Sequence, residues 1–126
     1  MTTQQITWLT TMFSELDNGG VESLFPYLHD DVFFRFASYP GGTGKQTFAD
    51  AWAAMSSHIK SLQHKILDSW EMESSAACRG EVTYSLTDGR VVTLPFANIF
   101  KLRDGRISEY LIYIDASSVF GISDAG

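Results

Sequence analysis

The sequence predicts an α+β fold in which helices pack on one face of a curved, mostly antiparallel sheet. Three observations predict it. Apolar residues recur at helical spacing as far as Ile59. Long β-prone runs take over from Leu62. Thr87-Asp88-Gly89-Arg90 and Arg103-Asp104-Gly105-Arg106 then join the last three runs, and Asp-Gly between extended apolar segments is a strong hairpin signal. Helices first and a meander after is the order of an α+β domain.

The first helix carries Ile6, Leu9, Phe13 and Leu16 on one stripe, with Thr2 or Thr3 able to cap its start and Gly19-Gly20 to stop it. A short second helix is expected over Val21 to Leu28, weakened by Pro26, which removes a backbone donor. Asp30-Asp31 leads into a strand at Val32 to Phe36. One proline and three glycines between Tyr39 and Gly44 predict an irregular loop, a rim to whatever lies beneath it. The third helix runs from Lys45 to Ile59, with Phe48, Trp52, Met55 and Ile59 on one face. Strands follow at Leu62 to Glu73, Ala76 to Thr87, Arg90 to Leu102 and Arg106 to Asp115, and Ile122 to Gly126 reads as a loose tail.

The chain has 126 residues, 44% hydrophobic and 13% aromatic, enough for one domain with a real core. Its formal charge of −6 argues against nucleic acid or an anionic membrane as partner, since either needs a basic footprint. Cys78 is alone, so no internal disulfide is expected. His29, His58 and His64 are too scattered to build a metal site with it, and no cofactor is implied. The N-terminus lacks the pattern of a signal peptide, and no run approaches the roughly 18 apolar residues of a membrane span. The expected location is cytoplasmic.

Strand register decides which residues share a face, because a slip of one residue turns every side chain over. A two-residue Asp88-Gly89 loop pairs Arg79 with Asn98, Glu81 with Phe96 and Thr83 with Leu94, which puts all six on one face. Asp104-Gly105 allows two readings. A two-residue loop adds Glu109, Leu111, Tyr113 and Asp115 to that face; a three-residue loop with a left-handed Gly105 adds Tyr110, Ile112 and Ile114. The second is preferred, because it gathers an unbroken apolar set against Leu94 and Phe96. The opposite face then carries Val82, Tyr84, Leu86, Leu111 and Tyr113 without cover, and a homodimer through it is expected.

Asp30-Asp31-Val32, Gly44-Lys45, Asp104-Gly105-Arg106-Ile107-Ser108-Glu109-Tyr110 and Tyr113-Ile114-Asp115 resemble the SnoaL-like branch of the nuclear transport factor 2-like superfamily. The resemblance spans about Ile6 to Phe120 and implies one SnoaL-like domain over residues 1–126. It also implies a cone-shaped sheet around a deep apolar pocket, the cystatin-like roll. Ketosteroid isomerases, limonene-epoxide hydrolases, polyketide cyclases and non-enzymatic binders share this fold. Arg79-Gly80-Glu81 is similar to the Arg-x-acid of the epoxide hydrolases, whereas Ile112 stands where their second aspartate lies and Phe34 and Phe36 where they have Tyr and Asn.

The reading is therefore a binder of an apolar small molecule without demonstrated chemistry. The alternative is an isomerase, hydrolase or cyclase in which Glu81 is acid or base and Arg79 orients it. The expected pocket wall is Phe13, Leu16, Phe34, Phe36, Met55, Ile59, Thr83, Leu94, Phe96, Asn98, Tyr110, Ile112 and Ile114, with Tyr110 and Asn98 able to donate to a ligand carbonyl. His64 and His58 read as half-exposed, and Cys78 as a small buried residue.

Overall fold

The fold is seen in a computed structural model that describes residues 6–120. The expected caps Thr2 and Thr3 and the Ile122–Gly126 tail lie outside those residues. Helix α1 (Thr7–Gly19) buries Leu9, Met12, Phe13 and Leu16, and Gly20 ends it at φ +86°, where a side chain would be strained. The expected second helix is a 3-10 helix, Val21–Tyr27, which accommodates Pro26 inside it. Strand β1 (Leu28–Phe36) begins four residues before the apolar run suggests. Strand β2 (Gly42–Thr43) lies in the segment read as irregular, where two residues pair with Phe33 and Phe34. Helix α2 (Lys45–Met55) tightens into a 3-10 turn at Ser56–His58, so Ile59 belongs to the next strand. Strands β3 (Ile59–Glu71), β4 (Ser75–Leu86), β5 (Val91–Arg103) and β6 (Arg106–Ile114) follow, then a short helix α3 (Ser117–Phe120).

The six strands form one sheet in the order β2-β1-β6-β5-β4-β3. The β3 to β6 pairs are antiparallel, as the hairpins predict, while β1 enters parallel to β6. Helix α1 lies along β3, the far edge strand, and hydrogen bonds between three residue pairs fasten it there. Ile6 N–H donates to Ser69 Oγ at 2.8 Å, Trp8 Nε1 donates to Glu71 at 2.9 Å, and Asp17 bonds to His64. An edge strand exposes unpaired N–H groups; that of His64 donates to Asp17 Oδ2 at 2.7 Å.

The first hairpin corrects the expected register. Its loop has three residues, Thr87 to Gly89, with Gly89 at φ +94° and Leu86 N–H donating to Arg90 O. Pairing is thereby shifted by one: Arg79 faces Ala97, Glu81 faces Pro95 and Thr83 faces Thr93. Val82, Tyr84 and Leu86 turn inward under the helices, at 2%, 3% and 4% exposure, so they are not the outer dimer face expected of them. Burying three large apolar side chains outweighs burying Arg79, Glu81 and Thr83 in their place.

The second hairpin reaches the preferred facing by another device. Asp104 (φ 54°) and Gly105 (φ 77°) form a two-residue turn, and a bulge beyond Lys101 restores the parity. Phe96 thus pairs with Ile114, Asn98 with Ile112 and Phe100 with Tyr110, all inward.

Candidate functional site

Inside the curve of the sheet the side chains close around a cavity of about 30 Å³. That is a space of one water's order rather than the deep pocket expected. The cone's own aromatic rings fill it: Phe34 against Phe48 at 5.2 Å between ring centroids, Phe48 against Tyr110 at 5.6 Å, and Phe100 against Tyr110 at 4.8 Å. Of the expected wall, Leu16, Phe36, Phe96, Asn98, Tyr110, Ile112 and Ile114 line the cavity, joined by Val21, Leu24, Phe48, Trp52, His64, Val82 and Tyr84.

The remaining expected residues lie elsewhere. Phe34 is buried behind Phe48, while Met55, Ile59 and Leu94 are half-buried outside the cavity lining. Phe13 stands behind His64, its ring 4.6 Å away. Thr83 faces outward, its hydroxyl 2.9 Å from that of Thr93.

Arg79 and Glu81 do not reach the cavity. Both are exposed on the outer face, and Arg79 pairs with Asp68 at 2.7 Å with its side chain 57% open to solvent. The one-residue register shift is the reason. An exposed pair of this kind contributes little, so Arg79→Ala is expected to lower stability by only ~0–1 kcal/mol in urea melts.

The imidazole of His64 does reach the cavity wall. Its Nδ1 lies 2.7 Å from Asp17 Oδ1, and both side chains are 12% exposed. Asp17 also holds the His64 backbone N–H, so both of its oxygens are committed to one residue and the imidazole is fixed in place. Phe13 and Phe96 pack on the ring, at 4.6 Å and 5.4 Å between centroids. With Nδ1–H donated to the carboxylate, the neutral ring leaves Nε2 as its acceptor. On its other side His64 borders a surface groove with Ser14, Asp17 and Gln63, so the ring stands between cavity and solvent.

Asp17 had a signal in the sequence. It lies four residues after Phe13, hence on the edge of the apolar stripe, where an acid needs a partner. The partner is 47 residues away, and no local spacing reveals it.

Cys78, Tyr84 and Tyr110 are buried nearby. Burial pushes the Cys78 thiol from near 9 up to about 12, partly offset by the Asn98 backbone N–H. It pushes the Tyr84 phenol from 10 up to about 12. Tyr110 is raised further, by burial first and then by Cys78, Asp17 and Tyr84. All three hold their protons more tightly folded than unfolded, so the stability they add is complete below about pH 9 and is lost as pH rises towards 12. Urea midpoints are expected to fall steeply above pH 10, and less steeply in Tyr84→Phe; an equal fall in both would count against Tyr84.

Residues 9–110 match a family model described as SnoaL-like domain. No curated protein matches the chain. Similar solved structures include an NTF2-like protein of unknown function from Burkholderia pseudomallei (13% identity, TM-score 0.81, covering 89% of this chain and 91% of that one). A putative polyketide cyclase from Xanthomonas campestris pv. campestris is 20% identical, with a TM-score of 0.79 over 91% of this chain and 93% of that one. An LEH-like epoxide hydrolase from M. tuberculosis is 17% identical, with a TM-score of 0.74 over 92% and 86%. At these identities the likeness is one of fold.

Proposed function

The chain belongs to the SnoaL-like domain family, and on that footing we propose that it binds an apolar small molecule in the cone and moves a proton on it through His64. The observation that carries this is the 2.7 Å pairing of His64 with Asp17 on the wall of an otherwise mostly apolar cavity. A base there has few competing polar contacts, and the carboxylate stabilises the imidazolium that forms when Nε2 takes a proton. Asp17 is the positioning residue. Tyr110, kept protonated by burial, is the donor available to an oxyanion developing on the ligand. The half-buried Val21, Trp52, Ile112 and Ile114 are the part of the wall that gives way as a ligand enters. Proton abstraction beside a carbonyl, as in isomerisation or cyclisation, is the reaction class this arrangement suits. Glu81 and Arg79 have no part in it.

Exchange of the α-protons of 2-tetralone in D2O, followed by NMR, tests the reading. The protein is expected to speed exchange above buffer, and His64→Ala to reduce that gain by roughly 10²–10⁴. Exchange unchanged in His64→Ala overturns it. Binding of the ketone without faster exchange would favour the second reading, a binder without chemistry, which the apolar Phe34, Phe36 and Ile112 support.

Assembly follows the corrected faces. Trp70, Ile99 and Tyr113 are 53%, 42% and 43% exposed on the outer side of the sheet, with half-buried Leu111 beside them. A homodimer through this face is expected to give a particle of twice the 14.0 kDa chain mass in light scattering, and Ile99→Glu a monomer. A wild-type monomer at micromolar concentration would contradict it. No helix among the described residues is long and apolar enough to cross a membrane. The lone buried thiol of Cys78 suits the cytoplasm as its compartment.

A further inference from the structure

Asn98 is the polar residue of the cavity that the dyad leaves unexplained. It projects inward from β5, is 2% exposed, and borders the cavity beside Phe96, Tyr110 and Ile112. Its Oδ1 has no hydrogen-bond partner among the described residues. A buried acceptor without a donor is costly, and folded chains keep few of them. Replacement by an apolar residue of similar size would remove that cost, so the amide needs a reason to be there. We propose that Asn98 Oδ1 accepts a hydrogen bond from a hydroxyl on the ligand, so that the ligand class is an apolar ring bearing a hydroxyl group. This rests on the reading of the cone as a binding cavity and deepens it: Asn98 sets which ligand is held, and in which orientation, while His64 acts on it.

The chemistry follows from the wall. Phe36, Phe48, Trp52 and Phe96 give the lining aromatic surface, which suits an aromatic or planar body. A hydrocarbon of that shape would leave Oδ1 alone, and so would an ether or ketone, which can only accept. A hydroxyl satisfies it.

Phenol, toluene and anisole separate these cases in isothermal titration calorimetry of the intact protein. Phenol carries the donor, toluene replaces it with a methyl group, and anisole keeps the oxygen but has no donor. Phenol is expected to bind about tenfold tighter than toluene or anisole, the worth of one net hydrogen bond at the upper end of its range. In Asn98→Leu, which removes the unpaired acceptor and is expected to melt no lower than the parent, toluene should bind at least as well as phenol.

Toluene matching phenol on the wild-type protein overturns the assignment, leaving water as the amide's only partner. So does a phenol preference that survives Asn98→Leu. Anisole matching phenol means that the amide donates, and this too overturns it. Binding of none of the three overturns the cavity reading itself, and the assignment with it. Should Asn98→Leu fail to fold, the ranking of the three probes on the wild-type protein decides alone.

Discussion

Gly80→Ala is expected to cost more than about 4 kcal/mol, a large share of the roughly 5–15 kcal/mol that holds a folded domain together. Gly80 lies inward on β4, opposite Ile66, where β3 bulges before Asp68. A Cβ built there runs into the carbonyl oxygen of Lys65 and meets the Lys65 carbonyl carbon at 3.0 Å and Ile66 Cα at 3.1 Å. These are backbone atoms of a paired strand, so no side chain can swing aside. Ordinary overpacking costs roughly 1–3 kcal/mol because side chains share the strain; here the strand itself must move, and with it the anchor of His64. Far-UV circular dichroism and NMR dispersion of the purified variant check the expectation. A variant melting within about 1 kcal/mol of the parent would show that β3 yields more readily than its pairing suggests. Gly89→Ala is the control: its Cβ meets open space, and only the left-handed backbone at φ +94° is penalised, by roughly 1–2 kcal/mol.

Phe13→Ala is expected to cost roughly 3–5 kcal/mol, the usual loss when a fully packed phenylalanine is deleted. Phe13 is 2% exposed and touches both sides of the site, with His64 at 4.6 Å and Phe96 at 6.0 Å between centroids. The void it leaves lies directly behind the imidazole. Urea melts should show a lower midpoint at unchanged slope. Phe13→Leu, which refills most of the volume, should recover much of the loss. If the alanine variant were as stable as the parent, α1 would have to settle into the gap, and the 2.7 Å Asp17–His64 contact could not persist unchanged.

Much of the fold is written in local patterns. The stripe from Ile6 to Leu16 gives α1, the Gly19-Gly20 pair gives its end, and the two Asp-Gly turns give the meander. Tyr110, Ile112 and Ile114 were expected inward and are inward. What local pattern does not hold is loop length. Thr87-Asp88-Gly89-Arg90 suits a two- or a three-residue loop equally, and the choice exchanges the environments of Glu81 and Val82. The alternation Val82, Tyr84, Leu86 was the better guide, because three buried apolar side chains outweigh the preference of one turn. The site was harder still. Seven of the expected wall residues line the cavity, yet the pairing of Asp17 with His64 joins α1 to β3 across 47 residues, and its two members carry no shared motif.

The parallel pairing of β1 with β6 bears on the order of events as the chain is made. Phe34 pairs with Tyr110, so β1 leaves the ribosome about seventy-five residues before the strand it needs. The hairpins can zip as they emerge, but β1 and its two-residue companion β2 must wait beside the helices with one edge open. A nascent chain stopped before Arg106 would therefore leave the β6-facing edge of Phe33 to Phe36 unpaired, the stretch a chaperone would be expected to hold.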